Sequence, residues 1–320
     1  MATPFPTAAR VVVIGGGAMG CSTLYHLAKM GCTDAVLLER AELTSGTTWH
    51  SAAQVRALRS TENLTRLIKD SIALYTGLEA ETGQSTGWSQ SGSLSLATSE
   101  DRLTHIKRQA ALSRAFGLEA HVVGPKEAAE LWPLMRSDDV IGAVYSPGDG
   151  RVNPSDLCAA LAKGARAHGA KIFEHTPVTG FDIGDGRVRG VETAQGRIAC
   201  DAVVLCGGLW SRAVGVLAGV SVPLYACEHF YLLTKPIDGI DGHLPTLGDH
   251  DGYLYIRDDV GGLLVGCFEP EGKALSLDAL PKNFSFDLLN EDWDHFEPMM
   301  LNALHRIPAL ETAEARTLLN

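Results

Sequence analysis

The first forty residues alternate between short hydrophobic runs and polar turns, as in a β-α-β unit. Val11 to Ile14 is a β-branched run that predicts a fully buried strand. Leu24 and Ala28 lie on one face of a predicted helix, which Gly31 is suited to end. Residues 35–38 (Ala-Val-Leu-Leu) predict a second buried strand. The pattern therefore predicts two strands joined by a helix.

Helix and strand patterns also alternate through the rest of the chain. A long amphipathic helix is predicted over 61–83, and a Gly/Ser-rich stretch ends it. Ser99, Pro125 and the pair Asn153-Pro154 favour the first turn of a helix. Further strands are predicted at 91–96, 171–174, 178–183, 187–192, 196–200, 202–206, 224–234, 253–257 and 262–268.

A glycine-rich turn directly follows the first predicted strand. Residues 15–20 match the pattern G-x-G-x-x-G between a strand and a helix. Gly15 permits the tight turn, Gly17 lets the backbone approach a pyrophosphate, and Gly20 allows close packing of helix on strand. Glu39 lies 19 residues after Gly20, near the spacing at which a carboxylate accepts from ribose hydroxyls. Together these features predict a dinucleotide site.

The order of the elements predicts an α/β fold with two interleaved domains. Residues 1–85 and 146–215 are predicted to form a Rossmann-type dinucleotide-binding domain. Residues 86–145 and 216–320 are predicted to form a second domain around an antiparallel sheet, which would carry the substrate site. A chain of 320 residues is long enough to give each domain a core.

Composition and charge narrow the class of protein. The chain is 45% hydrophobic and 20% charged, an ordinary globular balance, and we expect no metal site. Its net charge of −11 argues against a nucleic-acid-binding surface and mildly favours cationic or zwitterionic substrates. Its seven cysteines form no C-x-x-C pair, which favours reduced thiols and a cytoplasmic location. No apolar signal core or membrane span is found, and a mitochondrial matrix location would require a presequence that has been removed.

Small and hydroxylated residues surround a histidine at 43–53 (Leu-Thr-Ser-Gly-Thr-Thr-Trp-His-Ser-Ala-Ala). This stretch resembles the D-amino-acid-oxidase-like flavoprotein superfamily, and specifically its dimethylglycine and sarcosine dehydrogenase branch. The resemblance implies FAD as the cofactor and a covalent bond from His50 to its 8α-methyl carbon. A loop histidine hydrogen-bonded to flavin or backbone is the alternative for His50. The other residues of this region that the resemblance assigns to FAD are Arg40, Ser45, Thr47 and Thr48.

The same resemblance extends to three later stretches. A strand at 202–206 followed by Gly207 and Trp210 is similar to the family's strand and turn that close over the dinucleotide, while Val178 would flank the adenine. Trp210 is equally compatible with a plain core residue. His229 lies in a stretch similar to the family's H-x-Y strand, and Tyr255 in one similar to its Y-[LIV]-R strand. Both would face the flavin where the amine binds, or else be an ordinary sheet histidine and interface tyrosine.

The resemblance implies a glutathione-reductase-2-like fold and oxidation of an N-methylated glycine, either dimethylglycine or sarcosine. The product would be an iminium that water hydrolyses to the demethylated amine and formaldehyde. His229 would accept a proton and Tyr255 would position it or the substrate carboxylate. The implied partners are an electron acceptor, either an electron-transfer flavoprotein or oxygen, and tetrahydrofolate through a region that we expect to lie outside this sequence.

Two alternatives remain open at this point. We expect the sequence to be the amino-terminal part of a longer enzyme, because the family's carboxyl-terminal Gly-rich flavin segment and folate-binding part are not found in it. Independent activity of the 320 residues is therefore in doubt, and a non-catalytic regulatory module with the same fold is one alternative. Oxidation of another small amine or amino acid, such as glycine or proline, or of glycerol 3-phosphate, is the other.

Overall fold

The fold combines helices with parallel and antiparallel strands, and the computed structural model describes residues 4–320. The helices are α1 (Ala18–Lys29), α2 (Glu62–Thr82), α3 (Glu100–Ser113), α4 (Pro125–Leu131), α5 (Pro154–Ala167), α6 (Ser211–Leu217) and α7 (Trp293–Arg306). The strands up to residue 173 are β1 (Val11–Ile14), β2 (Ala35–Leu38), β3 (Gln54–Val55), β4 (Ser93–Ala97), β5 (His121–Val123), β6 (Gly142–Ser146), β7 (Gly150–Arg151) and β8 (Lys171–Phe173). The later strands are β9 (Val178–Gly184), β10 (Arg187–Thr193), β11 (Gly196–Ala199), β12 (Ala202–Leu205), β13 (Ala226–Cys227), β14 (Tyr231–Thr234), β15 (Thr246–Asp249), β16 (Leu254–Asp259), β17 (Gly262–Cys267), β18 (Ala274–Leu275) and β19 (Ala315–Leu319).

A four-stranded parallel sheet in the order β12-β1-β2-β8 forms the centre of the first half. Its strands are apolar on both faces, so both faces must be covered. Val13 and Leu37 point into a core formed with α1 and α5, whereas Val12 and Val36 pack against the three-stranded sheet β11-β10-β9. The two predicted strands and the helix between them are confirmed.

An eight-stranded sheet in the order β19-β14-β17-β16-β15-β4-β6-β5 forms the other half. All its pairs are antiparallel except β15 with β4. One face packs against α4 and α7 around the fully buried Trp132 and Phe296. The mixture of parallel and antiparallel sheets confirms the predicted α/β class. The residue bounds of the two predicted domains stay a prediction.

Helix boundaries follow local chemistry closely. The Ser99 side chain accepts from the Arg102 amide at the start of α3, and Asn153 accepts from the amides of Ser155 and Asp156 at the start of α5. Gly83 takes the left-handed conformation after α2, with φ of +64°. The predicted helix starts and the end of the long amphipathic helix are confirmed. They could be predicted because each depends on residues within one helical turn.

The strand predicted over 224–234 is wrong in its middle. Only β13 and β14 are strands there, and His229 lies in the gap between them. β13 pairs with β18, whereas β14 pairs with β17 and β19, so the chain changes sheets at this point. The Phe230 amide donates to Glu269 Oε1 at 2.9 Å instead of joining a ladder. A sequence pattern shows the hydrophobic residues of such a segment but not its change of partner.

None of the helices described in residues 4–320 is both long and apolar enough to cross a membrane. The seven cysteines, all within this part of the chain, are free thiols.

A buried cation holds the end of α7 to the eight-stranded sheet. Arg306, whose side chain is 2% exposed, donates from Nε to Asp249 Oδ2 at 2.7 Å. Its terminal nitrogens donate to both carboxylate oxygens of Asp139 at 2.7 and 2.8 Å. Burial lowers the pKa of Arg306, but the carboxylates of Asp139 and Asp249 outweigh that effect and raise it. The network fixes α7 against β15.

We expect Arg306→Met to lower the free energy of unfolding by about 3–5 kcal/mol, because the buried Asp249 would lose its cation. Urea unfolding followed by circular dichroism measures the change. Arg136→Met removes an exposed arginine from the same region and should change stability little. An equal loss in the two variants would contradict the role of the buried network.

Candidate active site

The carboxyl ends of β1, β2 and β12 meet at one edge of the parallel sheet. The strand β1 lies in the centre, with β2 on one side and β12 on the other, so the winding direction of the chain reverses at β1. In open sheets of this type, ligands bind in the crevice outside the strand ends at the point of reversal. The Gly15 amide donates to the Leu38 carbonyl and the Cys206 amide to the Ile14 carbonyl, which joins the three strand ends.

The glycine turn packs β1, α1 and the end of β12 against each other. A Cβ on Gly15, where φ is +111°, would lie 2.3 Å from the Cys206 carbonyl oxygen. A Cβ on Gly20 would lie 1.8 Å from the Gly15 carbonyl oxygen, so neither position can carry a side chain. A Cβ on Gly17 would meet the Thr48 hydroxyl oxygen at 2.7 Å. Gly17 thus lets the Thr48 hydroxyl lie close to the beginning of α1.

Glu39 and Arg40 follow β2 and lie next to this turn. The Glu39 carboxylate is 9% exposed and accepts from the amides of Gly16 at 2.6 Å and Ala41 at 2.8 Å. The Arg40 guanidinium stacks on the Trp210 ring, 4.2 Å from its centroid, and donates to the Phe284 carbonyl. Both charged side chains are therefore fixed at the edge of the crevice.

The hydroxylated loop at 44–50 runs from the glycine turn toward the eight-stranded sheet. Thr48 Oγ1 accepts from the Ala18 amide at 3.1 Å, which ties the loop to the first turn of α1. The His50 ring lies 4.3 Å from the Trp49 ring, and its Nε2 is 3.0 Å from the Asp287 carbonyl oxygen. Burial lowers the pKa of His50 despite the bond to Asp287, so the imidazole is neutral at pH 7.

Residues 281–290, termed the covering segment, pack along this loop. The Phe286 amide donates to the Ser45 carbonyl at 2.9 Å, and the Phe286 ring lies 5.9 Å from the Trp49 ring. Phe284 is 5% exposed. At the end of the segment the Leu289 amide donates to the Asn320 carbonyl at 3.1 Å. The contacts of Arg40, Ser45 and His50 with the covering segment connect the two halves of the molecule.

A cavity of about 1770 Å³ lies between the parallel-sheet half and the eight-stranded sheet. Its lining begins at Met19 in the first turn of α1 and continues along Thr47 and His50 of the hydroxylated loop. It ends at His229 and Tyr255. The cavity therefore joins the crevice at the strand ends to one face of the large sheet.

Tyrosine and glycine alternate across that face of the sheet. Register places Tyr231, Gly266, Tyr255 and Gly248 side by side on four neighbouring strands. The Tyr255 ring covers Gly266, where a Cβ would lie 2.0 Å from the tyrosine Cζ. The Arg56 guanidinium covers Gly248, where a Cβ would lie 2.5 Å from one of its terminal nitrogens. The two glycines thus make room for a phenol and a cation on the cavity floor.

His229, Tyr255 and Glu269 form a hydrogen-bonded chain at one end of the floor. His229 Nε2 is 3.0 Å from the Tyr255 hydroxyl, and His229 Nδ1 is 2.7 Å from Glu269 Oε2. Burial raises the pKa of Tyr255 well above its usual range, and the nearby Cys267 and Glu269 add to the effect. Burial also raises the pKa of the Glu269 carboxyl, but its hydrogen bonds to His229 and Phe230 outweigh this and lower it.

Arg56 and His250 lie at the other end of the floor. One terminal nitrogen of Arg56 donates to the carbonyls of Leu94 at 3.0 Å and Thr246 at 3.1 Å. Its Nε is buried without a hydrogen-bond partner among residues 4–320. Burial lowers the pKa of Arg56 to about 10, so it remains a cation at neutral pH. Burial, with Arg56 nearby, lowers the pKa of His250 to about 4, so His250 is neutral there.

The predicted site residues fall into two groups that one cavity connects. Near the crevice, Gly207 begins the turn that carries Trp210, and Val178 starts β9 and packs against the core under the parallel sheet. At the large sheet, His229 and Tyr255 are in direct contact. The Ser45 side chain is buried, and the Ser45 carbonyl accepts from the Phe286 amide of the covering segment. The cofactor roles of these residues stay predictions.

Sequence reasoning missed Glu269, Arg56 and the covering segment. Glu269 lies 40 residues from His229 in the chain, and its only sequence signal is an acid just after a buried strand. Arg56 is one of several arginines after the hydroxylated loop and carries no motif of its own. Such contacts become visible only once the strands are in register.

A family model described as DAO, FAD dependent oxidoreductase, matches residues 10–317. Mitochondrial sarcosine dehydrogenase of Homo sapiens is 44% identical over 96% of this chain and 34% of its own length. Mitochondrial pyruvate dehydrogenase phosphatase regulatory subunit of Mus musculus is 42% identical over 98% of the chain and 36% of its length. Mitochondrial dimethylglycine dehydrogenase of Rattus norvegicus is 36% identical over 98% of this chain and 37% of its own length. The chain thus spans about a third of these relatives.

Among solved structures, L-proline dehydrogenase from P. horikoshii superposes with a TM-score of 0.86 at 27% identity, covering 98% of this chain and 81% of that one. The predicted fold and the predicted flavoprotein family are both confirmed by these comparisons. Because the family model matches nearly the whole sequence, the chain belongs to the DAO family of FAD dependent oxidoreductases.

Proposed function

We propose that the chain is the FAD-binding and substrate-binding part of an amine oxidoreductase that acts on an N-methylated glycine, sarcosine or dimethylglycine. The cavity that connects the glycine-turn crevice to Arg56, Tyr255 and His229 carries this proposal. The names of the similar sarcosine and dimethylglycine dehydrogenases support the substrate class. The oxidised product is an iminium, which water hydrolyses to the demethylated amine and formaldehyde.

The residues around the crevice fit FAD. Gly17 lies directly before α1, and the backbone N–H groups at the N-terminus of that helix favour a pyrophosphate. The Glu39 carboxylate ends β2, and two oxygens with about four acceptor positions can hold ribose hydroxyls in addition to the two amides already bound. When bound, FAD supplies the acceptor for a hydride from the substrate carbon.

Covalent attachment of FAD through His50 is part of the proposal. A ring nitrogen must be unprotonated to act as a nucleophile, and the burial that lowers the pKa of His50 supports this. The Asp287 carbonyl only accepts, so Nε2 carries the proton and Nδ1 keeps its lone pair. Thr47 and Thr48 lead from the ribose-binding acid to His50, a reach that fits the length of the dinucleotide.

The other end of the cavity fits a zwitterionic amine. Arg56 lines the cavity and remains a cation at neutral pH, which suits the substrate carboxylate. The amine must lose its proton before the carbon can give up a hydride, because protonation occupies the nitrogen lone pair. His229 accepts that proton, and the Tyr255 hydroxyl, 3.0 Å from His229 Nε2, lines the same cavity.

Two partners complete the proposal. The electrons pass to an electron-transfer flavoprotein or to oxygen, and tetrahydrofolate takes up the one-carbon product through residues outside this chain. The similar proteins named above are mitochondrial by name. A cytoplasmic or a matrix location for this protein stays a prediction.

A regulatory role without turnover is the second candidate function. The regulatory subunit of a phosphatase, 42% identical to this chain, favours it. Under this alternative the holoprotein binds FAD, dithionite reduces the flavin, and no N-methylated amine does. Anaerobic titration with dithionite and then with sarcosine, dimethylglycine, glycine and proline separates the two functions and identifies the substrate.

We expect Gly17→Val to abolish FAD binding, since a branched side chain would collide with the Thr48 hydroxyl and crowd the N-terminus of α1, where the pyrophosphate is proposed to bind. The absorbance of the purified protein at visible wavelengths measures flavin content. Gly77→Val is the matched control, because a Cβ on Gly77 meets no atom within 4 Å. Equal flavin content in the Gly17 variant and the wild type would remove this turn from the cofactor site.

We expect acid denaturation of the holoprotein to leave flavin fluorescence in the protein pellet, and His50→Ala to release it to the supernatant. The exposed His121→Ala variant should keep its flavin in the pellet. Complete release from the wild type would refute the bond to His50 but not the binding of FAD.

We expect His229→Ala to slow flavin reduction by N-methylglycines by about 10² to 10⁴-fold while flavin content stays unchanged, because the proton acceptor is lost. Anaerobic stopped-flow absorbance measures the rate. His243→Ala removes an exposed histidine elsewhere on the large-sheet half and should reduce at the wild-type rate. An unchanged rate in the His229 variant would contradict its role.

A further inference from the structure

We propose that Glu269 is a positioning residue that fixes the His229 tautomer, so that a substrate proton reaches His229 through the Tyr255 hydroxyl. The proposal rests on the proposed amine oxidation and adds to it the order of the proton path. It is carried by the hydrogen-bonded chain of Glu269, His229 and Tyr255 at the cavity floor.

The direction of each hydrogen bond follows from Glu269. Its side chain is 7% exposed, and its carboxylate accepts the Phe230 amide on one oxygen and His229 Nδ1 on the other. An ionised carboxylate only accepts, so His229 Nδ1 carries the proton and Nε2 keeps its lone pair. Nε2 therefore accepts from the Tyr255 hydroxyl at 3.0 Å.

The hydrogen bonds of His229 decide which group meets the amine. His229 and Tyr255 both line the cavity, but His229 Nδ1 is bound to Glu269 and Nε2 to the Tyr255 hydroxyl. The Tyr255 oxygen has lone pairs left for an ammonium N–H while its own proton lies on the bond to His229. The phenol oxygen thus meets the substrate proton first, and the half-exposed imidazole passes it on to water.

The proton transfer balances without any further reactant. One N–H bond of the substrate ammonium breaks as an O–H bond forms on Tyr255, and the original O–H bond of Tyr255 breaks as an N–H bond forms on His229 Nε2. The tyrosine ends unchanged, the amine is neutral, and the imidazolium is held by the Glu269 carboxylate. Water then takes the proton from the exposed ring.

Other charged and titratable groups around this chain belong to separate pairs. Glu228 binds Lys273 at 3.1 Å and Asn320 at 2.9 Å rather than His229. The groups that face Tyr255 from its own and neighbouring strands are Arg257, Tyr231, Cys267 and Glu269. Glu269 is the one carboxylate of residues 4–320 that hydrogen-bonds to His229, so it alone can hold the tautomer.

The kinetic test compares Glu269→Gln with the wild-type holoprotein by anaerobic flavin reduction with sarcosine and dimethylglycine from pH 7 to about pH 9.5. We expect Glu269→Gln to lower the rate of flavin reduction by about 10- to 100-fold at pH 7. The loss should shrink as the pH rises, because the bound amine then becomes neutral without the relay. The substrate concentration for half-maximal rate should change little. Glu228→Gln, the neighbouring carboxylate, should follow the wild type at every pH.

A purely structural role predicts a different result, namely the same loss at every pH. Either a uniform loss or an unchanged rate in Glu269→Gln overturns the proposal. A wild type whose flavin no N-methylated amine reduces overturns the proposed function instead.

The tautomer itself is measured independently of activity and of how the variant folds. Imidazole ¹⁵N chemical shifts of the wild-type holoprotein, with the His229 signal assigned through His229→Asn, should show Nδ1 protonated and Nε2 free. Protonation at Nε2 overturns the proposal even if flavin reduction is fast.

Discussion

The site depends on one close contact, the packing of the glycine turn between β1, α1 and the end of β12. A single added carbon at Gly20 would lie 1.8 Å from the Gly15 carbonyl oxygen, and one at Gly15 would lie 2.3 Å from that of Cys206. No rearrangement of a flexible side chain relieves such contacts, because both partners are backbone. This contact sets the distance between α1 and the sheet, and hence the width of the crevice at the strand ends.

A second use of glycine shapes the opposite wall of the cavity. On the large sheet Gly266 and Gly248 alternate with tyrosines, so that the Tyr255 ring can lie over β17 and the Arg56 guanidinium over β15. The result is a flat floor that carries a phenol and a cation, with the hydroxylated loop and the covering segment opposite. The position of the phenol and the cation in the cavity and the packing of the sheet surface therefore both depend on glycine at these two positions.

Much of the fold and of the glycine turn could be predicted from the sequence, because these features depend on residues that are close together in the chain. The β-branched run at Val11 to Ile14, the glycine turn and the caps at Ser99 and Asn153 each depend on neighbours within a few residues. The break around His229 and the contact with Glu269 were not predictable, since they arise where the chain changes sheets and meets a residue 40 positions away. The family resemblance pointed to His229 and Tyr255 but not to their partner.

The arrangement also bears on which amines fit. The Arg56 guanidinium lies over Gly248 on β15 and the Tyr255 ring over Gly266 on β17, so the strand β16 separates the two groups. Two spacings of about 4.8 Å put the guanidinium and the phenol on the order of 10 Å apart. A hydrogen bond of about 2.9 Å at each end leaves roughly 4 Å between the carboxylate and the nitrogen of a substrate that contacts both groups. A single carbon between carboxylate and nitrogen, as in glycine derivatives, meets that requirement, whereas each further methylene makes the substrate longer than the space allows. On the proposed function, the separation of β15 and β17 accordingly selects short amino acids, and the size of the cavity beyond the nitrogen decides how many N-methyl groups are accepted.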